Sequence, residues 1–197
     1  MASNRQAEYR NQYTPGESLP VFSTQLDSVR AYQFEVRFLG LPDQAAPGLA
    51  QKRDLTLAAK TVSPVGMNVE DIEVRRVNDK FYYPGYVNSD VVTITFDNLY
   101  LRQTASTLWN WFRTIYDPLS GNLTRIAEPG GPGGRTFKVN KMQIIELNNT
   151  RDPHAAVELY GVYPRSVKYS EKNYNTNEFA TIEVEFRFDF MHYFNYN

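Results

Sequence analysis

Few residues in this chain have the types and spacing that chemistry needs. It contains two histidines, His154 in a proline-containing turn and His192 near the C-terminus, and neither stands at metal-ligand spacing from the other or from a carboxylate cluster. Glu70 and Asp71 are adjacent, so in an extended chain they point to opposite faces and cannot work on one substrate as acid and base. The segment Glu128 to Thr136, EPGGPGGRT, invites comparison with a phosphate loop. That motif needs GxxxxGK[ST]; here only three residues separate Gly130 from Gly134, the basic residue is Arg135, and Pro132 interrupts the row of amides. A flexible linker fits this composition better. GxSxG, HExxH and GxGxxG do not occur. With no cysteine, thiol catalysis, thiolate metal sites and disulfides are excluded together. The expectation is a protein that is not an enzyme and has no metal or cofactor.

The elements that such residues would have to sit on point the same way. Thr181 to Phe190, TIEVEFRFDF, alternates with period two, placing Ile182, Val184, Phe186, Phe188 and Phe190 on one face and Thr181, Glu183, Glu185, Arg187 and Asp189 on the other. It reads as one strand with a dry and a wet face. Tyr32 to Leu39 repeats the pattern with Phe34, Val36 and Phe38. Further strands are expected over Asp54 to Thr61, Val91 to Phe96, Thr136 to Leu147, and Ala156 to Tyr163 ending at Pro164. A helix is expected over about 101–116, capped by Asp97 or Asn98 and ended by Asp117-Pro118, with Leu101, Ala105, Leu108, Phe112 and Ile115 as its packing stripe. Trp109 and Trp111 flank that stripe, which suits core roles better than an exposed sugar-stacking platform.

From Pro64 to Tyr86 the chain reads as a hairpin turning at Asn78-Asp79. Its many charges (Glu70, Asp71, Glu73, Arg75, Arg76, Asp79, Lys80) are too numerous for a core element, so it should project, either solvated or engaging a neighbour. Met67, Ile72, Phe81, Tyr82 and Tyr83 are the candidate contacts between subunits.

The 197 residues suit one domain, read as a polar N-terminal arm (1–29), a body (30–190) and an aromatic C-terminal tail (191–197). A formal net charge of −1 provides no basic field for tight nucleic-acid binding, and 14 Tyr with 12 Phe favour sheet and contact surfaces. The N-terminus lacks the apolar core of a signal peptide, and no 18 apolar residues run together.

Three stretches taken in order resemble the tail tube proteins of T-even-type contractile bacteriophages: Ala59 to Gly85, with its proline-and-glycine entry and projecting hairpin; Val91 to Tyr116, a strand, acidic turn and tryptophan-bearing helix; and Val157 to Phe190, a Gly-x-x-Pro turn followed by an amphipathic strand. The arm, the Gly/Pro-rich insertion at 129–134 and the aromatic tail depart from that pattern and leave open a specialised ring at one end of a tube. The resemblance implies a mainly β fold, a β-barrel or β-sandwich of antiparallel strands with one principal helix packed on the sheet. It also implies six copies per ring and rings stacked as a hollow tube in a virion, assembled in the host cytoplasm. The implied partners are further copies, a tail sheath protein, a tape measure protein in the lumen, and baseplate and terminator proteins; DNA passes transiently, and no membrane is bound. Glu183, Glu185, Arg187 and Asp189 become candidate lumen-facing residues, whose summed charge of −2 on one strand would repel passing DNA. A tube of a phage-derived injection machine and a sugar-binding β-sandwich are the alternatives.

Overall fold

The computed structural model describes residues 29–42, 55–123, 137–175 and 177–196. The N-terminal arm over 1–28 and the glycine-rich segment 128–136 lie outside them. Among the described residues those from Tyr32 onward form one compact unit.

Eleven strands and one principal helix make up the described residues: β1 (Phe34–Leu39), β2 (Ala59–Val62), β3 (Met67–Arg76), β4 (Asp79–Ser89), β5 (Val92–Asp97), α1 (Thr104–Ile115), β6 (Tyr116–Asp117), β7 (Asn122–Leu123), β8 (Val139–Leu147), β9 (Pro153–Tyr169), β10 (Thr181–Arg187) and β11 (Phe190–Asn195). All pairings are antiparallel, and the main path runs β1-β8-β9-β10-β5-β2 with β11 added beside β9. This path is open, so of the two expected architectures the sandwich holds and the closed barrel does not.

The 17-residue β9 joins two sheets. Its first half pairs with β8 and β11, and its second half, from Tyr163 to Tyr169, pairs with β10. The handover occurs at Gly161, whose φ of +66° favours glycine. A Cβ there would collide with the Asp189 carboxylate, which is held by Lys138 at 2.8 Å. Asp189 sits at the matching bend between β10 and β11, its amide donating to the Tyr160 carbonyl at 2.8 Å. The alternating stretch expected as one strand is therefore two. β10 stops at Arg187, Phe190 opens β11 and is exposed, and the expected aromatic tail is itself an edge strand. Pro164 does not end β9 either. A bulge places it opposite Phe186, and an irregularity of this kind is where a strand tolerates a residue without an N–H.

The core lies between the two sheets and α1. Phe38, Phe96, Phe186 and Trp111 meet there, with ring centroids 5.4–6.4 Å apart. Ile182, Val184 and Phe186 are fully buried, each stabilising the fold by about 1.5–3 kcal/mol. The helix meets this core on a face turned from the expected stripe, keeping Leu108 in the core and Ala105 against it. Thr104, Thr107, Leu108, Trp111 and Thr114 are its buried residues, and Leu101 lies outside it in an exposed 3₁₀ turn. Trp111 sets this rotation: its ring fills the aromatic cage, and its indole N–H donates to the Phe137 carbonyl at 2.9 Å. Trp109 is partly exposed and stacks on Phe112. Neither Asp97 nor Asn98 caps the helix; Gln103 occupies that position at φ +53° with no side-chain cap. Residues 55–58, expected to be strand, are helical and lead into β2. Among the described residues no helix is long and apolar enough to cross a membrane.

Candidate assembly surfaces

β3 and β4 pair with each other and with no other strand among the described residues. Two features shape this hairpin. Its turn falls at Val77-Asn78, one residue before the expected position, and Val77 takes the left-handed conformation. Further back, a register shift after Val69 bends the ribbon where Gly85 approaches Glu70; a Cβ on Gly85 would lie 2.8 Å from the Glu70 carbonyl oxygen. Pro84 is therefore inside β4, opposite Asp71.

Beyond that bend the register sorts the side chains. Ile72 faces Tyr83 and Val74 faces Phe81, and directly opposed residues share a face, so these four form one apolar side. Asp71, Glu73, Arg75 and Lys80 form the other with Tyr82, and there Glu73 pairs with both Arg75 and Lys80. The charged side satisfies itself. The apolar side is left open among the described residues: Ile72, Phe81 and Tyr83 are each about half exposed. Of the five candidate contact residues, the structure thus brings Ile72, Phe81 and Tyr83 together and adds Val74. Tyr82 points the opposite way. Met67 sits at the hairpin's base, packed against the main core.

The polar side of β10 is the second surface. Glu183 lies between Lys168 of β9 and Thr95 of β5, and Glu185 between Ser166 and Thr93. Lys168 reaches both carboxylates, Glu185 at 2.7 Å and Glu183 at 3.2 Å. Its hydrogen bond holds the Glu185 pKa below the ordinary carboxylate value, with Arg165 adding to the effect, while the two carboxylates raise that of Lys168. Arg187 donates to the Ser89 carbonyl at 3.4 Å. Asp189 leaves this face for the bend and pairs with Lys138. The expected negative face is accordingly charge-compensated, because the count over one strand omitted Lys168 from its neighbour.

A third constellation escaped the sequence reading. Glu158 is buried on β9, accepting from Lys141 at 2.8 Å, Gln143 at 2.6 Å and the Tyr160 hydroxyl. Burial pushes its pKa up, but these hydrogen bonds and the Lys141 charge outweigh that and hold it at about 2. Lys141 also stands 5.1 Å from the centre of the Tyr160 ring, which stacks on Phe190 at 4.6 Å. The network ties β8 to β9. His154 and His192 are exposed, and no group of acidic residues and histidines among the described residues could hold a metal.

No protein-family model matches the chain, and no curated protein matches its sequence. Solved structures do match. The chain is similar to the tube-terminating cap of the anti-feeding prophage, with a TM-score of 0.63 and 14% identity over 91% of this chain and all of that one. It is similar to a component of the PVC sheath–tube complex, an extracellular contractile injection system in its extended state, with a TM-score of 0.61 and 15% identity over 88% of this chain and 99% of that one. The SPP1 tail tube gives 0.50 at 14% identity, over 86% and 80%. The fold is that of tail-tube and tube-cap subunits.

Proposed function

We propose that the chain is a structural subunit that assembles with copies of itself into hexameric rings stacked as the inner tube of a contractile tail, a conduit for genome delivery. The observation that carries this reading is the apolar side of the hairpin, an amphipathic ribbon that pairs with no other strand among the described residues and keeps Ile72, Phe81 and Tyr83 about half exposed. Isolated two-stranded ribbons are marginal in water, and an unpartnered apolar side of this kind is stabilised by a neighbouring copy. The likeness to tube and cap folds supports the same reading. The partners that follow are a sheath around the tube, a tape measure protein within it, and baseplate and terminator proteins at its ends. The polar face of β10 is assigned to the lumen, where Glu183 and Glu185, compensated by Lys168, present a surface that neither retains nor strongly repels a passing polyanion.

A tube or tube-end ring of a phage-derived injection machine is the second reading, favoured by the likeness to injection-system components. The test is electron microscopy of the purified chain at high concentration. Six-fold rings or stacked tubes with Glu183 and Glu185 on the inner wall are expected. Monomers under all salt conditions would overturn the assembly, and an outward placement of Glu183 and Glu185 would overturn the luminal assignment alone.

A further inference from the structure

One end of the polar face of β10 carries more positive charge than its carboxylates meet. Arg187 closes β10 there, directly opposite Tyr163 of β9. Two residues further along β9 stands Arg165, where the register shifts between Glu185 and Phe186; it is exposed, while Pro164 before it is buried. Counted from Tyr163, Arg165 shares a face with Arg187 as its diagonal neighbour, about 7–8 Å away across the strand pair. Lys168 is taken up by Glu185 and Glu183, at 2.7 and 3.2 Å. Among the described residues neither arginine has such an ion pair, and the hydrogen bond of Arg187 is the 3.4 Å contact to the Ser89 carbonyl. The carboxylates around them are engaged elsewhere: Glu185 by Lys168, Asp189 by Lys138 at 2.8 Å, and Asp90 by the Asn68 amide at 3.2 Å. A guanidinium presents five N–H donors, so most of this donor capacity is open. Ser166 and Thr93 flank Glu185 on the same face and add hydroxyls.

We infer that Arg165 and Arg187 form a binding site for the phosphodiester backbone of a nucleic acid, with the Ser166 and Thr93 hydroxyls as supporting donors. The inference deepens the luminal reading of β10 and rests on it for where the contact falls in an assembled tube. The planar fork of a guanidinium matches phosphate, and unlike Lys168 neither arginine has to release a carboxylate to bind. Readout stops at the backbone. Tyr163, the ring beside Arg187, is already engaged edge-on by Phe137 and by the Lys138 ammonium 5.7 Å from its centre, so it is not free to stack on a base. The excess of charge is small, with Arg165, Lys168 and Arg187 set against Glu183 and Glu185. Two phosphate contacts per subunit compete directly with salt, so a strand is touched and released rather than held.

The full chain is titrated against a fluorescent single-stranded oligonucleotide of about 30 nucleotides, at salt from about 20 to about 200 mM, and read by anisotropy. Binding is expected at the low end and lost at the high end. Arg165→Gln/Arg187→Gln should weaken it at least about tenfold and lower the slope of log K against log salt by about 1.4, the value for two single-strand phosphate contacts. Arg165→Gln alone, at an exposed position with no partner to lose, should lower the slope by about 0.7, which keeps the test decisive where Arg187→Gln disturbs the fold. Arg165→Lys/Arg187→Lys should keep the slope. Lys60→Gln, at the opposite end of the face beside Asp97 at 3.6 Å, should change nothing. No binding by the unmodified chain, an unchanged slope in both Gln variants, or an equal loss in Lys60→Gln would each overturn the site. Equal displacement of the oligonucleotide by poly-glutamate of matched charge would assign it to acidic peptides and overturn it as well. Electron microscopy of the same samples separates the two readings: the expected binding with β10 on an outer wall would remove the luminal assignment and leave the site standing.

Discussion

β10 and the β3–β4 hairpin carry the same kind of pattern and end in opposite environments. In β10, Ile182, Val184 and Phe186 alternate with polar residues and are fully buried against Trp111, Phe38 and Phe96. In the hairpin, Ile72 and Val74 alternate with Asp71, Glu73 and Arg75 and face Tyr83 and Phe81, and Ile72, Phe81 and Tyr83 stay about half exposed. Alternation shows that a strand has an apolar side needing cover. It does not show whether the cover comes from the same subunit. What separates the two is pairing: β10 is flanked by strands on both edges, whereas β3 and β4 pair only with each other among the described residues, and their charged side closes on itself through Glu73, Arg75 and Lys80.

The largest expected effect falls on the buried side of this comparison. Trp111→Ala empties the cage around Phe38, Phe96 and Phe186 and strands the Phe137 carbonyl, so chemical denaturation should show a loss of about 3–5 kcal/mol. A loss below about 1 kcal/mol would mean that the cage is not the centre of the fold.

Next is acid. A carboxylate whose pKa is lowered by folding stabilises the protein above its unfolded pKa, and that stability is lost as pH falls through the folded value. For Glu158 this is the window from about 4.5 down to about 2, and the shift corresponds to at most about 3 kcal/mol. Unfolding measured across that window should steepen with acid in the unmodified chain and flatten in Glu158→Gln. An unchanged slope in the variant would show that other carboxylates carry the acid sensitivity.

The smallest stability effect belongs to the hairpin. Phe81→Ser/Tyr83→Ser removes two half-exposed rings from the proposed contact side, so the isolated subunit should lose less than about 0.5 kcal/mol, with an unchanged circular dichroism spectrum. Unfolding of this variant would place the hairpin in the core and erase the contrast with β10.

Much of this was legible in the sequence, and the exceptions share causes. The strands over 34–39, 92–97 and 181–187, the helix and the projecting hairpin follow from local periodicity and turn residues. The break at Asp189 was not visible, because a bend that keeps the alternation in step leaves no trace in a period-two pattern; only Gly161, on another strand, makes it possible. Trp109 and Trp111 looked equivalent beside one helical stripe, and the choice between them depends on a cage built from three distant strands. Glu158 and Lys168 act through cross-strand partners, so they appear only once register is known.

The account stands on the hairpin's apolar side being covered by another copy, and sedimentation of three proteins at matched concentration tests that most directly. The unmodified chain and Tyr82→Ser, whose ring lies on the charged side, should both sediment as large assemblies, while Phe81→Ser/Tyr83→Ser should sediment as folded single subunits or rings that do not stack. Equal assembly of all three, or loss of assembly in Tyr82→Ser alone, would contradict it.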